Sequence, residues 1–282
     1  MRNKLFAAIA VLGVFAVTSC DNKNIFGKFH KLGSSASIEV LLSDANAALA
    51  NDDPAQAKAI ADKILAKDPN NSEALYISAA AGLREAGFDV ASIITSVIGS
   101  TSTADADSLI QSFENIDLNA IAAAISVSVA RLKQIADGNT NGAIAANDID
   151  VNLNLGILEV LDAAVNVIDF NGNGIILNDD EDVIQVDNNY NVTVKTRTGT
   201  YKSVSELTSE EVDQLKDDYG DALADKVSES ITQIESAVSH FTVASEGVAG
   251  GSSIMEDLKN TVSNDLKTEF DDFYSKLTST GT

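Results

Sequence analysis

The chain has 282 residues, 45% of them hydrophobic, and carries 42 acidic against 19 basic side chains for a formal charge of −23. That acidity argues against a nucleic-acid partner, whose phosphates it would repel, and the apolar content with its helical patterning excludes disorder driven by charge. Two prolines, no tryptophan and sustained helical periodicity read as a mainly α globular protein, built as one large domain or two small ones.

Residues 1–19 form a targeting segment: Arg2 and Lys4 precede an apolar run from Leu5 to Val17 that is too short to span a bilayer. The run ends in Val17, Thr18, Ser19 and Cys20, which resembles the lipobox of bacterial lipoproteins. The resemblance implies cleavage before Cys20 and acylation, palmitate among the chains, of its sulfur and new amino group. Several chains anchor stably where one is marginal. The expected location is the bacterial cell envelope, on the inner or outer membrane, facing the periplasm or the surface. Losing Arg2 and Lys4 makes the mature chain more acidic still. Cys20 is the sole cysteine, so no intramolecular disulfide forms. Residues 20–35 are polar and rich in Gly and Ser, as a lipidated tether would be.

Residues 36–100 read as helical hairpins. Leu41, Leu42, Ala45, Ala48 and Leu49 share one face; Asp53 and Pro54 start a second helix bearing Ala57, Ile60, Ala61, Ile64 and Leu65; Asp68 and Pro69 end it. Ala45, Ala57 and Pro69 fall where a tetratricopeptide repeat has its small, small and proline positions, and Glu73 to Tyr76 looks like the opening of a second repeat. Ile64 departs from that pattern, and a generic helical hairpin fits the same residues. The resemblance implies a surface for a peptide or protein partner.

Residues 101–204 are expected to hold further helices, two calcium-type loops and a small β-hairpin. The loops start 32 positions apart, at Asp137 and Asp169. The first offers Asp137, Asn139, Asn141, the carbonyl of Ala143, and Asp148; the second offers Asp169, Asn171, Asn173, the carbonyl of Ile175, and Asp180. Oxygens at positions 1, 3, 5, 7 and 12, with glycine at 6 (Gly142, Gly174), suit a hard cation that takes six to eight oxygens. Both loops resemble the EF-hand loop, and more closely its dockerin variant with Asp at position 12. The resemblance implies structural calcium, held weakly because Asn replaces Asp at positions 3 and 5. Position 9 is Ala145 or Leu177, which cannot hold a bridging water through the side chain. An unbroken helix between the loops would keep them apart, whereas a break near Gly156 would let them pair. Ile149 to Leu155 alternates with period two and also reads as a short strand. Val192–Thr196 and Thr200–Val204, around Gly199, read as the β-hairpin.

Residues 205–282 read as a C-terminal helical pair. Thr208 and Glu211 make a capping box, Gly220 bends the long helix that follows, and Phe270 and Phe273 sit on the core face of the last helix. Residues 36–282 could also form one domain.

No catalytic motif appears. His30 lies in the tether and His240 on a late helix without a visible partner, so the reading is of a non-enzyme. The expected role is a membrane-anchored, calcium-stabilised interaction or adaptor lipoprotein with an envelope protein as partner. The alternative is a small-ligand carrier or transporter accessory, resembling the helical lipoproteins of TRAP transporters, with the small residues at 79–81 and 121–124 lining a cavity. Partner, ligand and oligomeric state are not legible in the sequence.

Overall fold

A computed structural model describes residues 36–88, 118–172, 182–186, 192–247, 256 and 259–279. The signal segment, Cys20, the tether, residues 89–117 and the second loop from Asn173 to Asp180 lie outside them. The described residues are mainly helical with a small antiparallel sheet.

Helices α1 (Ile38–Ala50), α2 (Pro54–Leu65) and α3 (Ser72–Glu85) follow one another as antiparallel neighbours, each started by its own sequence signal. Ser37 caps α1, Asp53 caps α2 with Pro54 at the first helical position, and Asn71 caps α3. Asp52 takes a left-handed φ of 56° at the α1–α2 turn, a conformation Asp tolerates better than most residues. Ala45, Ala57 and Ala61 are fully buried, so small side chains set the close approach of α1 and α2.

Helix α4 (Leu118–Ala136) packs on α3, and α5 (Ile149–Ile168) packs on α4. The period-two stretch at Ile149 is helix, not strand. Its residues alternate because α5 is covered on both sides, and its asparagines bond backwards: the Asn154 amide donates to the Asp150 carbonyl at 2.7 Å. Helix α5 runs unbroken through Gly156. At about 1.5 Å per residue its 20 residues hold Asp148, the last residue of the first loop, and Asp169, the first of the second, roughly 30 Å apart. It is long and apolar enough to cross a membrane, yet it lies inside the protein.

The small sheet has three strands in the order β1 (Ile184–Val186), β2 (Val192–Lys195), β3 (Tyr201–Lys202), all antiparallel. The expected hairpin is there, turned at Gly199 with φ 79°, but β1 adds a third strand and Val204 leaves it for a short 3₁₀ turn. Two strands alone are marginal. Ile184 faces Val194 in register, and both are buried in the core. Arg197 forks onto Asp218, and Lys202 reaches Glu211, tying the sheet to α6 (Ser209–Tyr219). Glu211 also closes the capping box on Thr208, and Lys202 with these bonds holds its carboxyl down at about 2.

Gly220 ends α6 with φ 55°, and α7 (Asp221–Gly247) begins directly after it. A π-type segment, Thr261–Leu266, leads into α8 (Lys267–Thr278). Phe270 and Phe273 are buried, as their helical spacing predicts.

Three cores run in series. The first lies within α1–α3, the second between α3, α4 and α5, and the third between α5, the sheet and α6–α8. The two-faced helices α3 and α5 separate them. Ala74, Ile77 and Ala81 face the first core while Leu75, Ala79 and Leu83 face the second. The small residues at 79–81 therefore serve close packing: the Ser128 hydroxyl on α4 donates to the Ala79 carbonyl at 3.2 Å.

Helices α5 and α7 are antiparallel and close. A Cβ on Gly156 would stand 2.6 Å from the Phe241 ring, and one on Gly247 would stand 2.5 Å from Ile149. Gly156→Ala should therefore destabilise the protein by about 1–3 kcal/mol, because overpacking outweighs the gain of up to ~1 kcal/mol in helix propensity. Urea unfolding measures this, and adding Phe241→Leu should recover part of the loss.

Candidate functional site

Loop 1 leaves α4 through a glycine cap. Gly138, at φ 70°, lets the Gly138 and Asn139 amides reach back to the carbonyls of Ile135 and Gln134. The loop then docks on the α2–α3 corner. The Asn141 amide donates to the Asn70 carbonyl, and the Ser72 amide donates to the Asn141 carbonyl, both at 2.8 Å. The Asn141 side chain donates to Asp68, the Gln134 side chain to Asn70, and the Ile144 amide to the Ser72 hydroxyl. Gly142, at φ 116°, is where the chains come closest. A Cβ there would stand 2.6 Å from the Ser72 hydroxyl and overlap the Glu73 carboxylate. Asp148 ends the loop by capping α5, accepting from the amides of Asp150 and Val151.

The predicted ligands of loop 1 are thus engaged in the fold. Asp137, Asn139, Asn141 and Ala143 are exposed, and Asp148 is half-buried. Asn141 donates through its nitrogen and keeps its side-chain oxygen; Asp148 accepts at Oδ1 and keeps Oδ2. Asp137 and Asn139 lie exposed in the same loop. Among the described residues no three His, Cys, Asp or Glu side chains are grouped as a metal would need. Burial and the Asp148 charge raise the Asp150 carboxyl, and burial with Asp150 and Asp148 pushes the Tyr76 hydroxyl up to about 12.

Loop 2 is described only over its start, so Asn173, Ile175 and Asp180 lie outside. Asp169 ends α5, and the Asn171 amide donates to Asp182 at 3.2 Å. Asp182, which the sequence did not single out, is buried and also takes the Val183 amide. Among the described residues of loop 2 the glycine with positive φ is Gly172 at position 4, whereas loop 1 has Gly138 at position 2 and Gly142 at position 6. The two loops share a residue pattern but not, over these residues, a backbone path.

The second polar feature is a ladder between α5 and α7. Lys226 donates to Asn166, Ser230 to the Ala163 carbonyl, Gln233 to Asp162, and Ser236 to Glu159 at 2.8 Å. His240 completes it, with Nδ1 at 2.9 Å from Asn152 Oδ1 and Nε2 at 3.8 Å from Glu159 Oε1. His240 thus has a partner that its sequence context concealed. The signal was available as small and polar residues at three- and four-residue spacing on α7 matching those on α5.

Glu159 is 3% exposed. Burial lifts its carboxyl to about 7; Ser236 and Lys133 work against that, while Asp162 and Asp137 add to it. Burial and Lys133 lower the His240 imidazole, with Asp137 opposing. Glu159 is buried and His240 half-buried, their nearest atoms 3.8 Å apart.

Ser72→Ala should release loop 1 from the corner. It leaves the Ile144 amide without its acceptor at a half-buried site, a loss of about 1–3 kcal/mol. The expected result is a lower melting temperature with faster proteolytic cutting between residues 138 and 147. Gly142→Ala should act in the same direction.

No protein-family model matches this chain, and no curated protein or solved structure was found to be similar to it.

Proposed function

We infer that the protein is a lipid-anchored, calcium-stabilised adaptor of the bacterial envelope, without a catalytic role. Cys20 carries the acyl chains, residues 20–35 span from the membrane, and the helical body presents a surface to another envelope protein. The observation that supports this most is the docking of loop 1 on the α2–α3 corner. That contact adds to the α3–α4 packing that joins the N-terminal hairpins to the C-terminal helices, so whatever stiffens the loop stiffens the presented surface.

Calcium has a structural part in this reading. Asp137, Asn139, Asn141, Asp148 and the Ala143 carbonyl would hold it in loop 1, and the negative field at Asp148, Asp150 and Tyr76 favours it. Loop 2 would take a second ion through Asp169 and Asn171 with Asn173, Ile175 and Asp180. Sites with so few formal charges belong in the roughly 10⁻⁴–10⁻³ M range of extracellular modules.

Thermal unfolding with millimolar Ca²⁺ and with chelator tests the metal. At about ten times Kd each site adds about 1.4 kcal/mol, so the melting temperature should rise by roughly 3–5 °C per site. Asp137→Ala with Asp169→Ala should remove the rise. Identical melting curves in both buffers would reject calcium.

A further inference from the structure

Asn152 dictates the state of His240. Its side-chain nitrogen donates to two backbone carbonyls, Ala146 and Asp148, both at 2.8 Å. That fixes the amide orientation and leaves Oδ1 facing His240 Nδ1 at 2.9 Å. Two acceptors cannot share that contact, so Nδ1 carries a hydrogen. In the neutral imidazole Nε2 is then a bare lone pair.

That lone pair stands 3.8 Å from Glu159 Oε1. Oε1 already accepts from the Ser236 hydroxyl, and the buried Oε2 has no hydrogen-bond partner. The other charged groups facing Glu159 are Lys133 on α4, with its ammonium 3.8 Å away on the exposed side, Asp137 at the start of loop 1, and Asp162 one turn along α5. With no proton on the pair, Oε1 and the Nε2 lone pair face each other as two acceptors with no hydrogen between them, and Oε2 stays without a partner. One proton satisfies both, as Glu159 O–H to Nε2 or as carboxylate to imidazolium. A second proton leaves a buried imidazolium beside a neutral acid.

We propose that Glu159 and His240 form a buried site for a single proton, and that its occupancy controls how tightly α7 closes on α5. Uptake of the proton from solvent brings the two side chains within hydrogen-bonding reach; its loss leaves a charge that draws Lys133 and water inward.

The sign follows from the two groups. Glu159, raised to about 7 from its ordinary value near 4.5, binds a proton better folded than unfolded, so its contribution grows as pH falls through 7 and levels off below 4.5. His240, held below its ordinary value near 6.5, works the other way once pH falls under that value. Stability contributed by the pair therefore peaks in a mildly acidic window.

Two measurements on the folded protein test this. Long-range ¹H–¹⁵N spectra at about pH 8 should show His240 with its hydrogen on Nδ1, and the Glu159 carboxyl should titrate near 7. Glu159→Gln keeps the shape and removes the carboxyl titration: its melting temperature should stay level between about pH 8 and pH 6.5, where that of the unaltered protein climbs. His240 carrying its hydrogen on Nε2, a Glu159 midpoint near 4.5, or the same climb in the Gln variant would each overturn the proposal.

Discussion

Helix α5 has no free face. One side belongs to the core it shares with α3 and α4, the other to the core it shares with the sheet and α6–α8. On a helix covered from two sides, most polar groups must find partners within the protein, because burial without a hydrogen bond is costly. This constraint explains the rest of the architecture. Gly156 and the Phe241 ring meet because no larger residue fits between α5 and α7. Glu159, Asp162 and Asn166 find hydrogen-bond partners on α7. Since α5 contributes to two cores, melting either one strips a face from it, and the body is expected to unfold as one unit.

Much of the fold was legible in the residues. The signals at Asp53 with Pro54 and at Thr208 start helices where they stand, whereas Gly220, expected to bend one long helix, ends one helix and the next begins directly after it. Local chemistry of that kind acts over three or four residues and is readable without tertiary information. Less legible were features set by distant packing. Ile149–Leu155 alternates like a strand because asparagines at 152 and 154 bond back within the helix, while neighbours cover both sides. Strand β1 escaped notice because three residues carry no pattern of their own; pairing with β2 makes them a strand.

The loops show how one residue pattern serves several physical demands. Asp, Asn and Gly recur there because they turn chains, cap helices and ligate cations by the same means, short oxygens and tolerance of positive φ. In loop 1 the fold already uses several of those capacities. Gly138 closes α4, Gly142 admits Ser72, and Asp148 starts α5. A cation would draw on the oxygens left over, which makes it a brace on a joint that hydrogen bonds have already shaped. The docking partner, the turn at Asp68 to Ser72, was visible in the sequence only as a helix stop.

The polar ladder has an evolutionary consequence. Each rung pairs one position on α5 with one on α7, from Asn166–Lys226 at one end to Asn152–His240 at the other. Deleting or inserting a single residue between those ends would rotate everything beyond it by ~100° about the helix axis. Carboxylates and amides would swing into hydrocarbon, and leucines would face hydroxyls. Descendants of this sequence should therefore vary freely in which residue fills a rung while keeping the count between rungs constant, with length changes collecting in the connections outside the pair.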